Sequence, residues 1–330
     1  MKARVSLVVC PGTLPSQGIN RFDITHYNIR HSGKGRLTAR AMIDQLPEIA
    51  GFADIEPDEN DPFPVATHAD LARFARHMQG VLDRPEIDGA VVVQGTNTLE
   101  ETAFFLNLVV KTKKPLIVVG AQRPFTAVST DAHLNLANAI RVAASSQARG
   151  LGVLVVTNSE INAARDVTKT FTFQVQTFRS RDLGVLGYAD ADRIVFYRTP
   201  TRIHTTASQF TLADADNLPK VEILYGHTGA DPRLARAAVD LGAKGLVIAG
   251  IGAGAMGVYL DTSVALAAEG IKVVRSARVG EGRVLAIGNA HEEGTIGADN
   301  LNPQKAAILL AFAMARDMDN AGIQSIFDTY

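Results

Sequence analysis

The chain has 330 residues and 35.2 kDa, with 33 basic and 34 acidic side chains, 46% hydrophobic residues and a single cysteine. A formal net charge of -1 provides no basic field to neutralise phosphates, which excludes a nucleic-acid partner. The longest uninterrupted apolar run, 306–315, falls well short of the ~20 residues that cross a bilayer as a helix, which excludes a membrane span.

At roughly 100 to 200 residues per domain, the length predicts two domains, each able to bury a core without disulfides. A short basic start runs straight into Val5-Ser6-Leu7-Val8-Val9, too short for a signal segment, so the cytoplasm is the expected compartment. Residues 5–9 read as the first strand. Cys10 has no second cysteine to pair with, and the eight histidines are scattered, so neither a metal site nor a cofactor is expected.

Further short β-branched runs follow at 90–93, 116–119 and 153–156, then at 221–225, 246–248 and 271–274. Such runs mark strands buried on both faces, and hence a mainly parallel sheet. Between them, 131–145 carries Leu134, Ala137 and Ile140 at helical spacing; 232–241, 263–269 and 303–316 read as helices too, the first and last with Pro near the start. The alternation predicts an α/β fold of βαβ units: a larger doubly wound N-terminal domain over 1–200 and a smaller α/β domain over 221–330. The polar stretch 201–220, rich in turn residues, reads as the linker between them.

In such sheets ligands sit beyond the carboxyl ends of the strands. There the sequence places Cys10-Pro11-Gly12-Thr13-Leu14 after the first strand and Gln94-Gly95-Thr96-Asn97-Thr98-Leu99-Glu100-Glu101-Thr102 after the second run. Each Gly-Thr pair has two readings. The glycine can expose amide N–H groups to an oxyanion while the threonine supplies a nucleophile or a proton relay. Alternatively both are turns, with Thr98 as an N-cap and Glu101 as its capping-box partner. Ala164-Arg165-Asp166-Val167-Thr168-Lys169-Thr170, after 153–156, adds a lysine that could take a hydroxyl proton if burial disfavours its charge. A competing signal is Gly252-Ala253-Gly254-Ala255-Met256-Gly257, which fits GxGxxG; because the next strand is followed by Arg275 and not an acid, only an NADP reading of it survives.

Taken together, these residues resemble the bacterial-type L-asparaginase/glutaminase family. Residues 94–102 look like its HGTDTMEET signature, and the likeness continues through Gly120-Ala121-Gln122-Arg123-Pro124, Asp131 with Asn135-Leu136-Ala137-Asn138-Ala139, 165–170, Leu186-Gly187-Tyr188 and 301–306. The resemblance implies an amidohydrolase with an acyl-enzyme mechanism, Thr13 as nucleophile, Thr96 and Lys169 as its proton relay, and Tyr27 as the tyrosine of a flexible N-terminal loop. It further implies that Ala121 offers backbone to the scissile amide, that the substrate is a small amide, and that the protein is a homotetramer built as a dimer of dimers.

The departures from the pattern concern the substrate's α-amine. The family's acid that pairs with it is Asn97 here, the loop 250–255 lacks the family's Asn, and no Glu stands at the matching place after Arg278-Val279. The family's GSQDM motif has no clear counterpart around 58–63, and Pro11 replaces a glycine beside Thr13. The expected substrate is therefore an amide, such as a lactam or imide, whose acyl part lacks a free α-amine. The alternatives are a true L-asparaginase/glutaminase that holds the amine otherwise, through Glu281 or Glu292 for instance, and a non-catalytic binding homologue.

Overall fold

The structure, a computed structural model, describes the chain except for Met1, Asn28, Asp61 and residues 288–291. Within the first unit, up to Leu212, strands β1 (Arg4–Val9), β2 (Asp54–Pro57), β3 (Gly89–Val93), β4 (Leu116–Val119) and β5 (Val153–Thr157) run parallel in the spatial order β2-β1-β3-β4-β5. β3, β4 and β5 are buried at every position, so their apolar runs show no alternation. Helices α2 (Ala39–Gln45) and α5 (Ala132–Ala143) pack on one face in a core with Val5, Leu7, Val91, Ile117 and Leu154. Helices α3 (His68–Asp83) and α4 (Leu99–Val109) pack on each other and on β3, β4 and β5. A single turn, α1 (Ile29–Ser32), lies in the long connection after β1.

The sheet is eight-stranded and mixed. β6 (Glu160–Ala163), β9 (Gly187–Ala189) and β10 (Ile194–Phe196) extend it antiparallel beyond β5. The sequence pattern missed them because they are short and turn-rich: Asn158 and Ser159, with φ of 51 and 63, form the two-residue hairpin turn between β5 and β6. β7 (Thr168–Lys169) pairs only with β8 (Phe178–Arg179) among the described residues.

Residues 201–212, read from sequence as linker, are held to the first unit. Lys111 at the end of α4 donates from Nζ to the carbonyls of Thr205 (3.1 Å) and Ser208 (2.5 Å). The second unit begins at Ala213. It carries four parallel strands in sequence order, β11 (Val221–Tyr225), β12 (Gly245–Gly250), β13 (Lys272–Ala277) and β14 (Ile296–Gly297). Helices α6 (Arg233–Asp240) and α7 (Leu260–Ala268) share a core with Leu246, Ile248 and Val273, while α8 (Pro303–Met314) lies against β11, β12 and β13, and α9 (Asn320–Thr329) against α8 and β14.

The glycine loop of this unit is shaped by packing. A Cβ on Gly254 would come within 2.6 Å of Val284 Cγ1, and one on Gly250 within 2.6 Å of the Gly254 backbone. Arg275, the side chain that an NADP reading needs, is 4% exposed and ion-paired to Glu292 at 3.2 Å, with further bonds to Thr295 and the Leu285 carbonyl. That reading is therefore withdrawn. The same ion pair engages one oxygen of the Glu292 carboxylate.

Candidate active site

Two glycines bring the two threonine loops together. Gly12 and Gly95 touch backbone to backbone: a Cβ on Gly12 would lie 2.2 Å from the Gly95 nitrogen, and one on Gly95 3.0 Å from the Gly12 Cα. The loops are also bonded. Cys10 N–H donates to the Val93 carbonyl at 2.7 Å and Gly95 N–H to the Pro11 carbonyl at 2.9 Å. Pro11 thus serves through its carbonyl, and the N–H it lacks is not part of this ladder. Thr13 and Thr96 each follow one of the touching glycines, at the carboxyl ends of neighbouring strands β1 and β3.

Each threonine hydroxyl has a side-chain partner. Thr13 Oγ1 and Tyr27 Oη lie 3.1 Å apart. Lys169 Nζ donates to Thr96 Oγ1 at 2.8 Å, and Thr96 donates onward to Gln122 Oε1 at 3.3 Å. Burial pushes the Lys169 ammonium below its ordinary range, and the charge of Glu100 opposes that shift. Burial thus disfavours the charge of Lys169 even beside a carboxylate, because desolvation outweighs the attraction.

Tyr27 reaches Thr13 because its loop is tied down. Phe125 N–H donates to the Ser16 carbonyl at 2.9 Å, Gly18 N–H to Thr126 Oγ1 at 3.0 Å and Val128 N–H to the Arg21 carbonyl at 2.7 Å. Lys34 Nζ closes the base of the loop on the Gly18 carbonyl at 3.2 Å. Asp23 Oδ1 then accepts the N–H groups of Thr25 (3.0 Å) and His26 (2.8 Å), an Asx turn that aims the chain toward Tyr27. Those same bonds hold the Asp23 carboxyl below its ordinary range.

Ala121 is buried in a turn clamped from α5. Asp131 accepts the N–H groups of Gln122 (2.9 Å) and Arg123 (3.0 Å), and Asn135 Nδ2 donates to the Gly120 carbonyl at 3.0 Å. Asn97 is exposed and makes no side-chain bond among the described residues. Thr98 is the N-cap residue of α4 but makes no side-chain cap bond, which corrects the capping-box reading; Glu101 N–H instead meets the Thr98 carbonyl at 3.1 Å.

Sequence reasoning missed two carboxylates. Glu100, 4% exposed, accepts the Lys169 N–H at 2.5 Å and the Thr168 hydroxyl on both oxygens at 2.9 Å. It sits inside the quoted signature, but only the fold brings β7 to the first turn of α4. Asp58 follows β2 beside the end of β1, where it meets His77 Nε2 and accepts Asn60 N–H at 2.9 Å; Phe63 stacks on His77 at 4.5 Å. Its burial would raise its pKa, but the His77 and Asn60 bonds outweigh that and hold it low. Burial, reinforced by the charge of Asp58, pushes the Cys10 thiol up to about 12, so Cys10 is no nucleophile near neutral pH. Among the described residues no group of three or more His, Cys, Asp or Glu side chains is placed to hold a metal ion, and no helix is long and apolar enough to cross a membrane.

Comparison with known proteins covers both units. The model of the asparaginase N-terminal domain matches residues 4–202, and that of the glutaminase/asparaginase C-terminal domain matches 220–327. L-asparaginase 2 of Bacillus subtilis is 37% identical over 99% of this chain and 86% of its own length; the glutaminase-asparaginase of Acinetobacter glutaminasificans is 35% identical over the whole of both chains. The crystal structure of a probable cytoplasmic L-asparaginase from Campylobacter jejuni superposes with a TM-score of 0.92 at 35% identity, covering all of both chains. The chain belongs to the asparaginase family, hydrolases that act on amide C–N bonds.

Proposed function

We propose that the protein hydrolyses a small amide through a covalent threonine ester, with Thr13 as nucleophile. The observation that carries this reading is the pairing of each loop threonine with a proton-transfer partner, Thr13 with Tyr27 at 3.1 Å and Thr96 with Lys169 at 2.8 Å. Thr13 Oγ1 attacks the amide carbonyl, and its proton travels through Tyr27 or the Thr96–Lys169 pair to the leaving nitrogen. Ammonia or an amine departs, leaving the acyl group on Thr13. Water then attacks the ester, returning a hydrogen to Thr13 and releasing the acid. A lysine held below its ordinary pKa has more neutral form available to accept that proton. Backbone of the clamped Ala121 turn lies along the amide.

The acyl part of the substrate lacks a free α-amine. Asn97 offers a neutral amide, and one oxygen of the Glu292 carboxylate is engaged by Arg275. An ammonium left unpaired in a dry pocket costs several kcal/mol, a hundredfold or more in specificity. A second reading, an L-asparaginase or glutaminase, is favoured by the names of relatives at 35 to 37% identity. We further propose a cytoplasmic location, as the name of the Campylobacter jejuni neighbour has for that protein, and, from the family resemblance, a homotetramer.

The test is release of ammonia or amine from L-asparagine, L-glutamine, succinamic acid, maleamic acid, succinimide and small lactams, with Thr13→Ala as the blank. Turnover confined to the amine-free members, lost by about a thousandfold or more in Thr13→Ala, is the expected outcome. Efficient turnover of L-asparagine at sub-millimolar concentration would establish the second reading. Binding without turnover in the wild type would leave a non-catalytic binder.

A further inference from the structure

β7 is two residues long, and among the described residues its only strand partner is β8, so the main sheet does not hold Lys169 in place. Besides the bond from Lys169 Nζ to Thr96 itself, a side chain from α4 binds the backbone of this strand. Glu100 lies four residues after Thr96, in the first helical turn, where the helix dipole favours a negative charge. Its Oε2 accepts the Lys169 N–H at 2.5 Å, and both its oxygens accept the Thr168 hydroxyl at 2.9 Å.

We propose that Glu100 is the positioning residue of the Thr96–Lys169 pair, clamping the β7 backbone onto the start of α4 and setting, by its charge, how readily Lys169 gives up a proton. The proposal rests on the reading of Lys169 as a proton relay. The opposition is visible in the site: burial disfavours the ammonium, and Glu100 favours it. Arg165 pairs with Asp166 at 3.2 Å, and Arg179 of β8 lies over the Phe171 ring and bonds Gln176 at 3.0 Å; Glu101 is the remaining acid in that turn of α4. The Asn97 position, which the family's pattern makes acidic, contributes no charge. Glu100 is therefore the charge that opposes the effect of burial on Lys169.

The experiment reads Lys169 directly, by the pH dependence of its acylation with acetic anhydride, followed by mass spectrometry of the peptide that contains it. In Glu100→Gln the midpoint moves down by about one unit, that is, about tenfold in the proton equilibrium. An unmoved or raised midpoint in the folded variant overturns the proposal. Should the Gln variant not fold, Glu100→Asp draws the carboxylate back by one methylene, and its midpoint also falls, by less; no shift there overturns the proposal equally. Because labelling needs no substrate, the two readings fail separately. A shifted midpoint in a protein that cleaves none of the amides would sink the amidohydrolase mechanism and leave the role of Glu100 standing; an unshifted midpoint in an active enzyme would do the reverse.

Discussion

Tyr27 is the half-buried residue of a loop with few apolar anchors, and yet its hydroxyl meets Thr13 at 3.1 Å. Removing that oxygen alone leaves the ring, the Asx turn at Asp23 and the loop ties untouched. Tyr27→Phe should therefore lower kcat by about a hundredfold, the scale of one proton-transfer partner, while the melting temperature stays within about a degree of wild type. Steady-state kinetics with a calorimetric scan check both; unchanged kcat would remove Tyr27 from the proton path. The neighbouring case is Asn97, where an amide replaces the acid of the family's pattern. It is exposed and makes no side-chain bond among the described residues, and a neutral amide adds no charge, so the carboxylate that acts on Lys169 is that of Glu100.

Strand ends, more than strands, carry the design at the scale of elements. β1 and β3 lie in register from Val5↔Gly89 to Val9↔Val93, so the loops that leave them start side by side. They can then touch only if both put glycine at the crossing. Gly12→Ala would set a Cβ 2.2 Å from a backbone nitrogen, which no rotamer change can relieve. It should separate the loops, cut activity by at least about a hundredfold through misplacement of Thr13, and lower stability by roughly 1–3 kcal/mol as overpacking does. Chemical denaturation and the substrate panel measure the two effects. This crossing also shows what was legible in the sequence. The parallel strands and the helices at 131–145, 232–241 and 303–316 are written as apolar runs and helical spacing, and Thr13, Thr96 and Lys169 stand in motifs of the family. The antiparallel strands β6, β9 and β10 are too short for a periodicity, and β2 is half-exposed, so neither left a pattern. Glu100 was in plain view within its signature, but a contact across 69 positions is set by the path of β7 and not by spacing.

For the whole molecule, acid stability depends on groups whose native partners hold them ionised, and Asp58 is one that the fold has buried at the carboxyl edge of the sheet. Its side chain is 7% exposed, faces His77 and accepts two bonds from Asn60. Burial by itself would raise its pKa; the His77 and Asn60 bonds win, and it lies below its ordinary value in the folded state. A carboxyl that is more acidic folded than unfolded binds fewer protons in the native state, so its stabilisation is fully present above its unfolded pKa of about 4 and is lost as the pH falls through its folded value. Asp58→Asn should therefore lower the melting temperature at pH 7 but narrow its difference from wild type as the pH drops from about 5 toward 3. The substitution also takes away a charge that raises the Cys10 thiol, so Cys10 should react somewhat faster with a thiol reagent at alkaline pH, although burial keeps it slow. Melting curves of both proteins across that pH range decide the matter: parallel curves would mean that the Asp58–His77 contact is not titrating with the fold, and converging curves would place it among the groups that set the acid limit of the protein.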